Sequence, residues 1–324
     1  MHDNVLISVI IPHYNSPDKL ERLLKSIAGE AGLDIQIIVV DDRSDKECEK
    51  LAEVRKKYGT RVEFYRNNKG IKGAGTARNI GLRHAVGRWL AFADADDYFT
   101  RDAWKIIGEA CNTSSADIIY FYQTSVIEGT DVESDRHLPF VEMVRNYCEN
   151  RNRKTEMELR VGFTSPCAKV IRRDVVSDNN IRFDQIPISN DIMFSLKTAI
   201  AAESIEAREE VVYCVTKEPG SLSYNTGRWF VDQRLKAALN KLKYLRKHVE
   251  KNDLRLLDLS GSRYFREAVV KGYSVMDIIR WMMIFVLNGF LPFELKYAPE
   301  IISGLLKRRF EFMRRDDWKI WKRL

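Results

Sequence analysis

The sequence predicts an α/β fold in which a mostly parallel sheet is flanked by helices, followed by a helical C-terminal extension. Five short apolar runs are rich in β-branched or aromatic residues, as expected of strands that are covered on both faces. These runs are 5–11, 35–40, 62–65, 89–93 and 117–122. The segments between them carry helical patterns, and helices between successive strands imply a parallel sheet in a layered fold.

The intervening segments justify the helices one by one. Ser16 can cap a helix that has Pro17 at its first position, and apolar residues then recur at helical spacing from Leu20 to Ile27. A second helical segment precedes the third strand. A glycine-rich loop, 68–75, opens a third helix, and its glycines fit either a tight turn or a close approach to phosphate.

Composition is ordinary for a soluble protein, and the positive net charge suits an anionic partner, which could be a nucleotide, a nucleic acid or a membrane surface. The chain has 324 residues, 45% hydrophobic and 31% charged, with a net charge of +7. Five cysteines lie far apart, at 48, 111, 148, 167 and 214, with no zinc or redox spacing. This pattern fits a reducing compartment. The first apolar run lacks a basic leader, so no signal peptide is expected.

Three carboxylates end the fourth apolar run. Asp94 and Asp96 would point to the same side of the backbone, and Asp97 follows them. Two carboxylates so close repel unless a cation lies between them, and oxygen ligands suit magnesium or manganese. The alternative is a surface turn, in which aspartates are common.

Polar residues follow three of the predicted strands. Tyr14 follows the first, Asp42 the second and Asp94 the fourth. In open α/β sheets ligands bind beyond the carboxyl ends of the strands, so these residues form a candidate site. Arg78, in the first turn of the third helix, is a candidate for binding an anion.

Four segments in this order resemble the motifs of family-2 glycosyltransferases. They are 8–15, 39–44, 77–81 and 94–97. The resemblance covers about the first 125 residues well and continues more weakly to about residue 220. One departure is Arg43, where the family often has glycine; it alters a turn but removes no expected ligand.

The resemblance implies a GT-A fold with a Rossmann-like sheet, a UDP-sugar donor, inverting transfer and a manganese or magnesium cofactor. Tyr14 and Asp42 would then hold the uracil and Arg78 the nucleotide. Asp94 and Asp96 would hold ribose and metal. The complete set of expected donor-binding residues is Pro12, Tyr14, Asn15, Asp42, Arg78, Asp94, Ala95 and Asp96.

The resemblance also implies a general base in the second half of the expected catalytic domain. Residues 123–158 are polar and irregular, and they resemble the variable insert that contacts the acceptor. The family has a Glu-Asp pair near 190, and its aspartate is the general base. Here Asn190 replaces the glutamate and Asp191 is retained. Alternatively, Asn190 or Asp191 only caps the following helix.

The chain beyond the catalytic domain is basic and helical. We expect a catalytic domain at 1–220, with a nucleotide half at 1–125 and an acceptor half at 126–220, and a helical region at 221–324. Segment 230–249 is an amphipathic basic helix, and 281–293 is apolar but too short to span a membrane.

The last residues add most of the net charge. From Lys307 onward there are eight Lys and Arg against three acids, and apolar residues share one helical face. Such a segment suits the surface of an anionic membrane, which would make the protein cytoplasmic and peripheral on the inner face of the cytoplasmic membrane. The alternatives are a helix that covers the domain and a homodimer contact.

The first functional hypothesis is a glycosyltransferase that acts on a glycan or lipid-linked glycan acceptor in surface polysaccharide synthesis. The second is a non-catalytic scaffold that keeps the nucleotide-sugar pocket and is recruited by its basic tail; Asn190 in place of glutamate keeps it open. Binding of nucleic acid is not expected, because no nucleic-acid module surrounds the charged segment.

Overall fold

The computed structural model describes residues 5–28, 33–45, 48–68, 70–218, 227–270, 273–299 and 302–303. The chain divides into two compact units, Met1–Ser221 and Leu222–Leu324. The basic terminal segment from Lys307 lies outside the described residues.

The first unit is built on one eight-stranded sheet. Its strand order is β3-β2-β1-β4-β7-β6-β8-β5. The strands are β1 Ile7–His13, β2 Ile35–Asp41, β3 Val62–Arg66, β4 Trp89–Phe92, β5 Tyr98–Phe99, β6 Ile118–Ile127, β7 Lys169–Arg172 and β8 Ile205–Lys217. The helices of this unit are α1 Pro17–Ala28, α2 Cys48–Tyr58, α3 Ala74–His84, α4 Ala103–Thr113, α5 Leu138–Glu149, α6 Arg153–Gly162, α7 Arg173–Asp178 and α8 Ile192–Ala201. The predicted α/β class is confirmed.

Parallel pairing brings the functional strand ends together. Strand β1 pairs in parallel with β2 and with β4, and β2 pairs in parallel with β3. The register sets His13 opposite Asp41 and Ile10 opposite Phe92. The loops that follow β1, β2 and β4 therefore leave the same edge of the sheet.

The other half of the sheet is mixed. Strand β7 is antiparallel to both of its neighbours, β4 and β6. The long strand β8 runs parallel to β6, with register shifts around Tyr122, and its distal part pairs with the two-residue strand β5. This last pairing connects the chain just after the carboxylate cluster to β8.

The expectation that residues 123–158 are irregular was wrong. Strand β6 continues to Ile127, and helices α5 and α6 occupy most of the rest. Helix α5 buries only Val141 and Val144, a stripe too narrow to produce a clear periodic pattern. Helix α6 begins with a capping box between Asn152 and Thr155, a Thr variant of the usual glutamate signal.

The second unit is helical. Its described elements are α9 Arg228–His248, α10 Lys251–Leu254, α11 Ser262–Val270, α12 Val275–Leu287 and a short 3₁₀ helix Leu295–Tyr297. The predicted apolar side of α9 is buried, with Leu235, Leu242 and Leu245 each 3% exposed or less. Within the described parts of the chain, no helix combines the length and the apolar character needed to cross a bilayer.

Candidate active site

Asp97 has a structural role in the carboxylate cluster. Its carboxylate is buried and accepts hydrogen bonds from the Tyr213 hydroxyl at 2.9 Å and from the backbone N–H of Thr216 at 2.8 Å. The same Tyr213 oxygen accepts a hydrogen bond from the backbone N–H of Asp94 at 2.9 Å. Strand β8 therefore fixes the carboxylate loop through Asp97 and the backbone.

Asp96 is held by its backbone, which leaves its side chain for the site. Its carbonyl oxygen accepts hydrogen bonds from Arg22 of α1 and from the Thr216 hydroxyl. Arg22 is itself oriented by both oxygens of Glu128, at 2.7 and 3.0 Å. Burial, and then the negative charge of Asp94, raise the pKa of the Asp96 carboxyl.

Asp94, Asp96 and Asp191 line one cavity of about 190 Å³. Among the described residues, no three His, Cys, Asp or Glu side chains form a group that could hold a metal without further ligands. Two carboxylates are nevertheless the protein contribution that magnesium commonly takes when phosphate and water complete its shell. The mutual repulsion of Asp94 and Asp96 would be relieved by a cation. The residues therefore fit a divalent ion that binds together with a diphosphate.

Arg78 is buried and connects the two halves of the site. Its guanidinium donates to Asp94 Oδ1 at 2.5 Å and to Asn190 Oδ1 at 2.8 Å, and it lies 5.2 Å from the centre of the Phe183 ring. Its Nε has no hydrogen-bond partner. Asn190, the departure from the family pattern, thus has a defined partner. Contact between Arg78 and a nucleotide remains a prediction.

Asp191 stands at the N-cap position of α8 but does not cap the helix with its side chain. Asp191 is instead one of the residues that line the cavity. Burial raises the pKa of Asp191, and the positive charge of Arg78 opposes this shift. The capping alternative therefore does not account for the aspartate, and the carboxylate remains available to accept a proton.

Buried Lys169 lies within electrostatic reach of Asp191. Its ammonium donates a hydrogen bond to the Phe163 carbonyl oxygen at 3.2 Å. Burial lowers the pKa of Lys169 to about 7, although the negative charge of Asp191 acts in the opposite direction. Sequence inspection missed this residue. The available signal was a lysine at the first position of the short strand β7, Lys169–Arg172.

The cavity has further polar walls that sequence inspection also missed. Gln123, Arg136, Thr164 and Ser165 line it. Gln123 is 2% exposed, and its Oε1 is buried without a hydrogen-bond partner. A buried acceptor without a partner at a cavity wall is suited to a ligand hydroxyl. The only signal was one polar residue after the aromatic run of β6.

The proposed uracil contacts lie at the ends of β1 and β2. Tyr14 is 44% exposed, and the Lys72 ammonium lies 3.7 Å from the centre of its ring. Asp42 is buried and accepts from Asn67 Nδ2 at 2.7 Å and from the Gly73 N–H at 2.6 Å. Base recognition at Tyr14 and Asp42 stays a prediction.

The remaining predicted donor-binding residues are Pro12, Asn15 and Ala95. Pro12 lies opposite Val40 in the sheet. Ala95 is buried and stands in the sequence between the two aspartates that line the cavity. Asn15 has a left-handed backbone, with φ 49°, and its side chain exchanges hydrogen bonds with Asp45. The structure places these residues at the same sheet edge without assigning them a ligand.

Backbone geometry explains the glycine-rich loop and the unusual turn at Arg43. Arg43 has φ 63°, a conformation that favours the glycine usual in the family. Gly75 has no room for a side chain, because an added Cβ would lie 2.2 Å from the Asp184 carbonyl oxygen. Close packing, which is neither of the two readings of the loop, thus accounts for Gly75, and the approach of a phosphate stays a prediction.

Comparison with known proteins agrees with this geometry. The family described as Glycosyl transferase family 2 matches residues 8–179, which is more than half of the chain. The chain is 27% identical over 218 residues to the poly(ribitol-phosphate) beta-N-acetylglucosaminyltransferase TarS of Staphylococcus aureus. That match covers 66% of this chain and 36% of TarS. The chain is also 28% identical over 225 residues to the uncharacterized glycosyltransferase EpsJ of Bacillus subtilis, and that match covers 67% of this chain and 63% of EpsJ.

Solved structures support the fold. A structure of S. aureus TarS 1–349 in complex with UDP-GlcNAc has a TM-score of 0.58 at 22% identity, covering 93% of this chain and 79% of that one. The mannosyltransferase PcManGT from Pyrobaculum calidifontis, in complex with GDP-Man and Mn²⁺, has a TM-score of 0.55 at 14% identity. That match covers 97% of this chain and 82% of PcManGT. Together with the extent of the family match, the fold and the strand-end carboxylates lead to one conclusion: the chain belongs to glycosyl transferase family 2.

Proposed function

We propose that the chain is an inverting, metal-dependent glycosyltransferase that uses a UDP-sugar donor. The observation that carries this proposal is the shared cavity of Asp94, Asp96 and Asp191. It joins a carboxylate pair suited to a cation and diphosphate with a separate carboxylate suited to proton transfer. The donor class is supported by the UDP-GlcNAc complex of TarS, and the metal by the Mn²⁺ complex of PcManGT.

In this mechanism Asp191 takes the proton of the acceptor hydroxyl as that oxygen attacks the anomeric carbon. Because burial raises its pKa, Asp191 accepts a proton more readily than an ordinary aspartate does. Asp96 and Asp94 would hold the cation, which when bound neutralises charge on the leaving diphosphate. Arg78 positions Asp94 and Asn190 by direct hydrogen bonds.

The acceptor is proposed to be a hydroxyl of a glycan or lipid-linked glycan in bacterial surface polysaccharide synthesis. The names of TarS and of the poly(ribitol-phosphate) beta-glucosyltransferase of Bacillus spizizenii support this acceptor class. Work at the inner face of the cytoplasmic membrane would follow from such an acceptor.

A thermal-unfolding screen tests the donor. UDP-, GDP-, CMP- and dTDP-sugars are each added with Mn²⁺ or with EDTA. A UDP-sugar at 100 times its Kd should stabilise the fold by about 2.7 kcal/mol, a shift of roughly 5–10 °C, and only with Mn²⁺. No shift with any UDP-sugar, or a shift only with another nucleotide, would show the donor assignment to be wrong.

A further inference from the structure

Helix α12 of the second unit is apolar on both of its faces. Ile278, Trp281 and Phe285 are buried in the core of that unit. The opposite face carries what we call the exposed stripe, whose side chains are between 41% and 85% exposed. The stripe consists of Met276, Ile279, Met283, Val286 and Leu287. A surface helix of a soluble protein normally has polar residues on this face, so the stripe is a candidate contact surface.

The polar side chains of α12 do not interrupt the stripe. Arg280 and the Trp281 indole both donate to Asp232 of α9, the latter at 2.6 Å. Asp277 pairs with Arg228 at 3.0 Å. These groups fasten one edge of α12 to α9 and leave the exposed stripe continuous and uncharged.

Charge distinguishes between the occupants that would cover the stripe. Residues 222–324 contain 22 Lys and Arg against 11 Asp and Glu, a net charge of +11, whereas residues 1–221 have a net charge of −4. A second copy of this unit would bring two strongly positive bodies together. The terminal segment 304–324 has a net charge of +5, and the rest of the second unit, 222–303, has a net charge of +6. Docking of this segment on the stripe would therefore also bring like charges together. An anionic surface, by contrast, is attracted to all of this charge.

We propose that the exposed stripe inserts into the interfacial region of an anionic phospholipid bilayer, while the basic residues of the second unit contact its headgroups. A helix of 13 residues is about 20 Å long, too short to span the hydrocarbon core, so it would lie in the plane of the interface. The contact does not depend on the transferase reaction proposed above.

The test uses the full chain and sucrose-loaded vesicles of phosphatidylcholine with or without phosphatidylglycerol. The variant Met283→Gln/Leu287→Gln removes two apolar side chains while keeping size, helix propensity and net charge. Its control, Asn240→Gln/Asn252→Gln, adds the same residues at exposed polar positions of the second unit. Co-sedimentation, size-exclusion mass and melting temperature are measured for all three proteins.

The wild type and the control should bind the anionic vesicles. The stripe variant should bind at least about tenfold more weakly, because burial of one Met or Leu side chain in the bilayer raises the partition constant by more than about tenfold. Its melting temperature should not fall. Four results would overturn the proposal: no binding by the wild type, equal binding by the stripe variant, a wild-type dimer that the variant dissociates, or a lower melting temperature in the variant. The shift caused by a UDP-sugar in the same stripe variant tests the transferase proposal separately.

Discussion

Asp96 and Asp97 are neighbours in the chain, but the fold gives them different tasks. The Asp97 side chain accepts hydrogen bonds from Tyr213 and Thr216 of β8, whereas Asp96 is fixed through its backbone carbonyl and lines the cavity. Substitution at the two positions should therefore separate ligand binding from folding.

We expect Asp96→Ala to abolish turnover and the Mn²⁺-dependent part of UDP affinity without unfolding the protein. The reason is that Arg22 and Thr216 hold the backbone oxygen, which alanine retains. UDP titration with Mn²⁺ and with EDTA measures the effect. Glu109→Ala, at an exposed site on α4, is the control. If EDTA leaves wild-type UDP affinity unchanged, Asp96 is not a metal ligand.

Asp97→Asn should raise the melting temperature at pH 7.5, and the gain should vanish as the pH falls toward 4. Burial, and then the charges of Asp96 and Asp94, raise the pKa of Asp97 well above its usual range. The folded state therefore binds this proton more tightly than the unfolded state, and wild-type stability falls as the pH rises through the interval between the two pKa values. Asparagine imitates the neutral form at every pH. Melting curves of both proteins from pH 4 to 8 measure the difference; a loss of stability that is the same at all pH values would contradict the expected ionisation.

Gln123→Leu should lower turnover by about tenfold or more while leaving the melting temperature equal or higher. Its unpaired Oε1 contributes nothing to the folded state without ligand, but one lost hydrogen bond to a sugar hydroxyl is worth about one tenfold step. Gln36→Leu is the matched control, because Gln36 is bonded to Ser8 and Glu63 away from the cavity. That control should lose stability and keep the activity of its folded fraction. If Gln123→Leu instead lost stability and kept its turnover, Gln123 would not be a residue of the site.

At the scale of elements, β8 is the part of the fold that shapes the carboxylate loop. Its Tyr213 is fully buried and joins the Asp94 backbone to the Asp97 carboxylate. The strand reaches these groups from more than 110 positions further along the chain.

Tyr213→Phe should destabilise the fold by about 1–3 kcal/mol, because it leaves a buried N–H and a buried carboxyl each with one partner fewer. It should also weaken Mn²⁺-dependent UDP binding, which a residue with only a structural role outside the site would not affect. Tyr65→Phe removes a hydroxyl that bonds half-buried Glu63 and is the control. Denaturant curves and UDP titrations on both variants provide the readouts. Unaltered UDP affinity in the Tyr213 variant would contradict the positioning role.

The sequence predicted the elements that depend on local patterns. Strands β1 to β4, Pro17 at the first position of α1, and the buried side of α9 all follow from local patterns that are long or bounded by a strong signal. The start of α8 beside Asp191 was also expected from a local pattern. Helix α5 was missed because its buried stripe is only two residues wide.

The contacts inside the site were not predictable in the same way. The bonds of Asp97 to Tyr213 and of Arg78 to Asn190 join residues more than 100 positions apart. They depend on strand order, in particular on the placing of β7 and β8, which no local pattern encodes. The unpaired amide of Gln123 likewise appears only once the cavity exists.

At the scale of the whole molecule, the two units have opposite net charges and different chemistry. The first carries the carboxylate cavity and is slightly acidic, whereas the second is strongly basic and presents an apolar stripe. This division is consistent with catalysis in one unit and attachment to a surface by the other. The central question is whether the cavity turns donor over or only binds it.

The most direct measurement is UDP release from a panel of UDP-sugars by the wild type, by Asp191→Asn and by Asp184→Asn, together with donor affinity for each. Asp184 is the matched control, since burial raises its pKa too but it does not line the cavity. We predict that Asp191→Asn lowers turnover by at least about a hundredfold with donor affinity near that of the wild type, while Asp184→Asn stays within a few-fold. Donor binding by the wild type without any UDP release, or full activity in Asp191→Asn, would contradict the account.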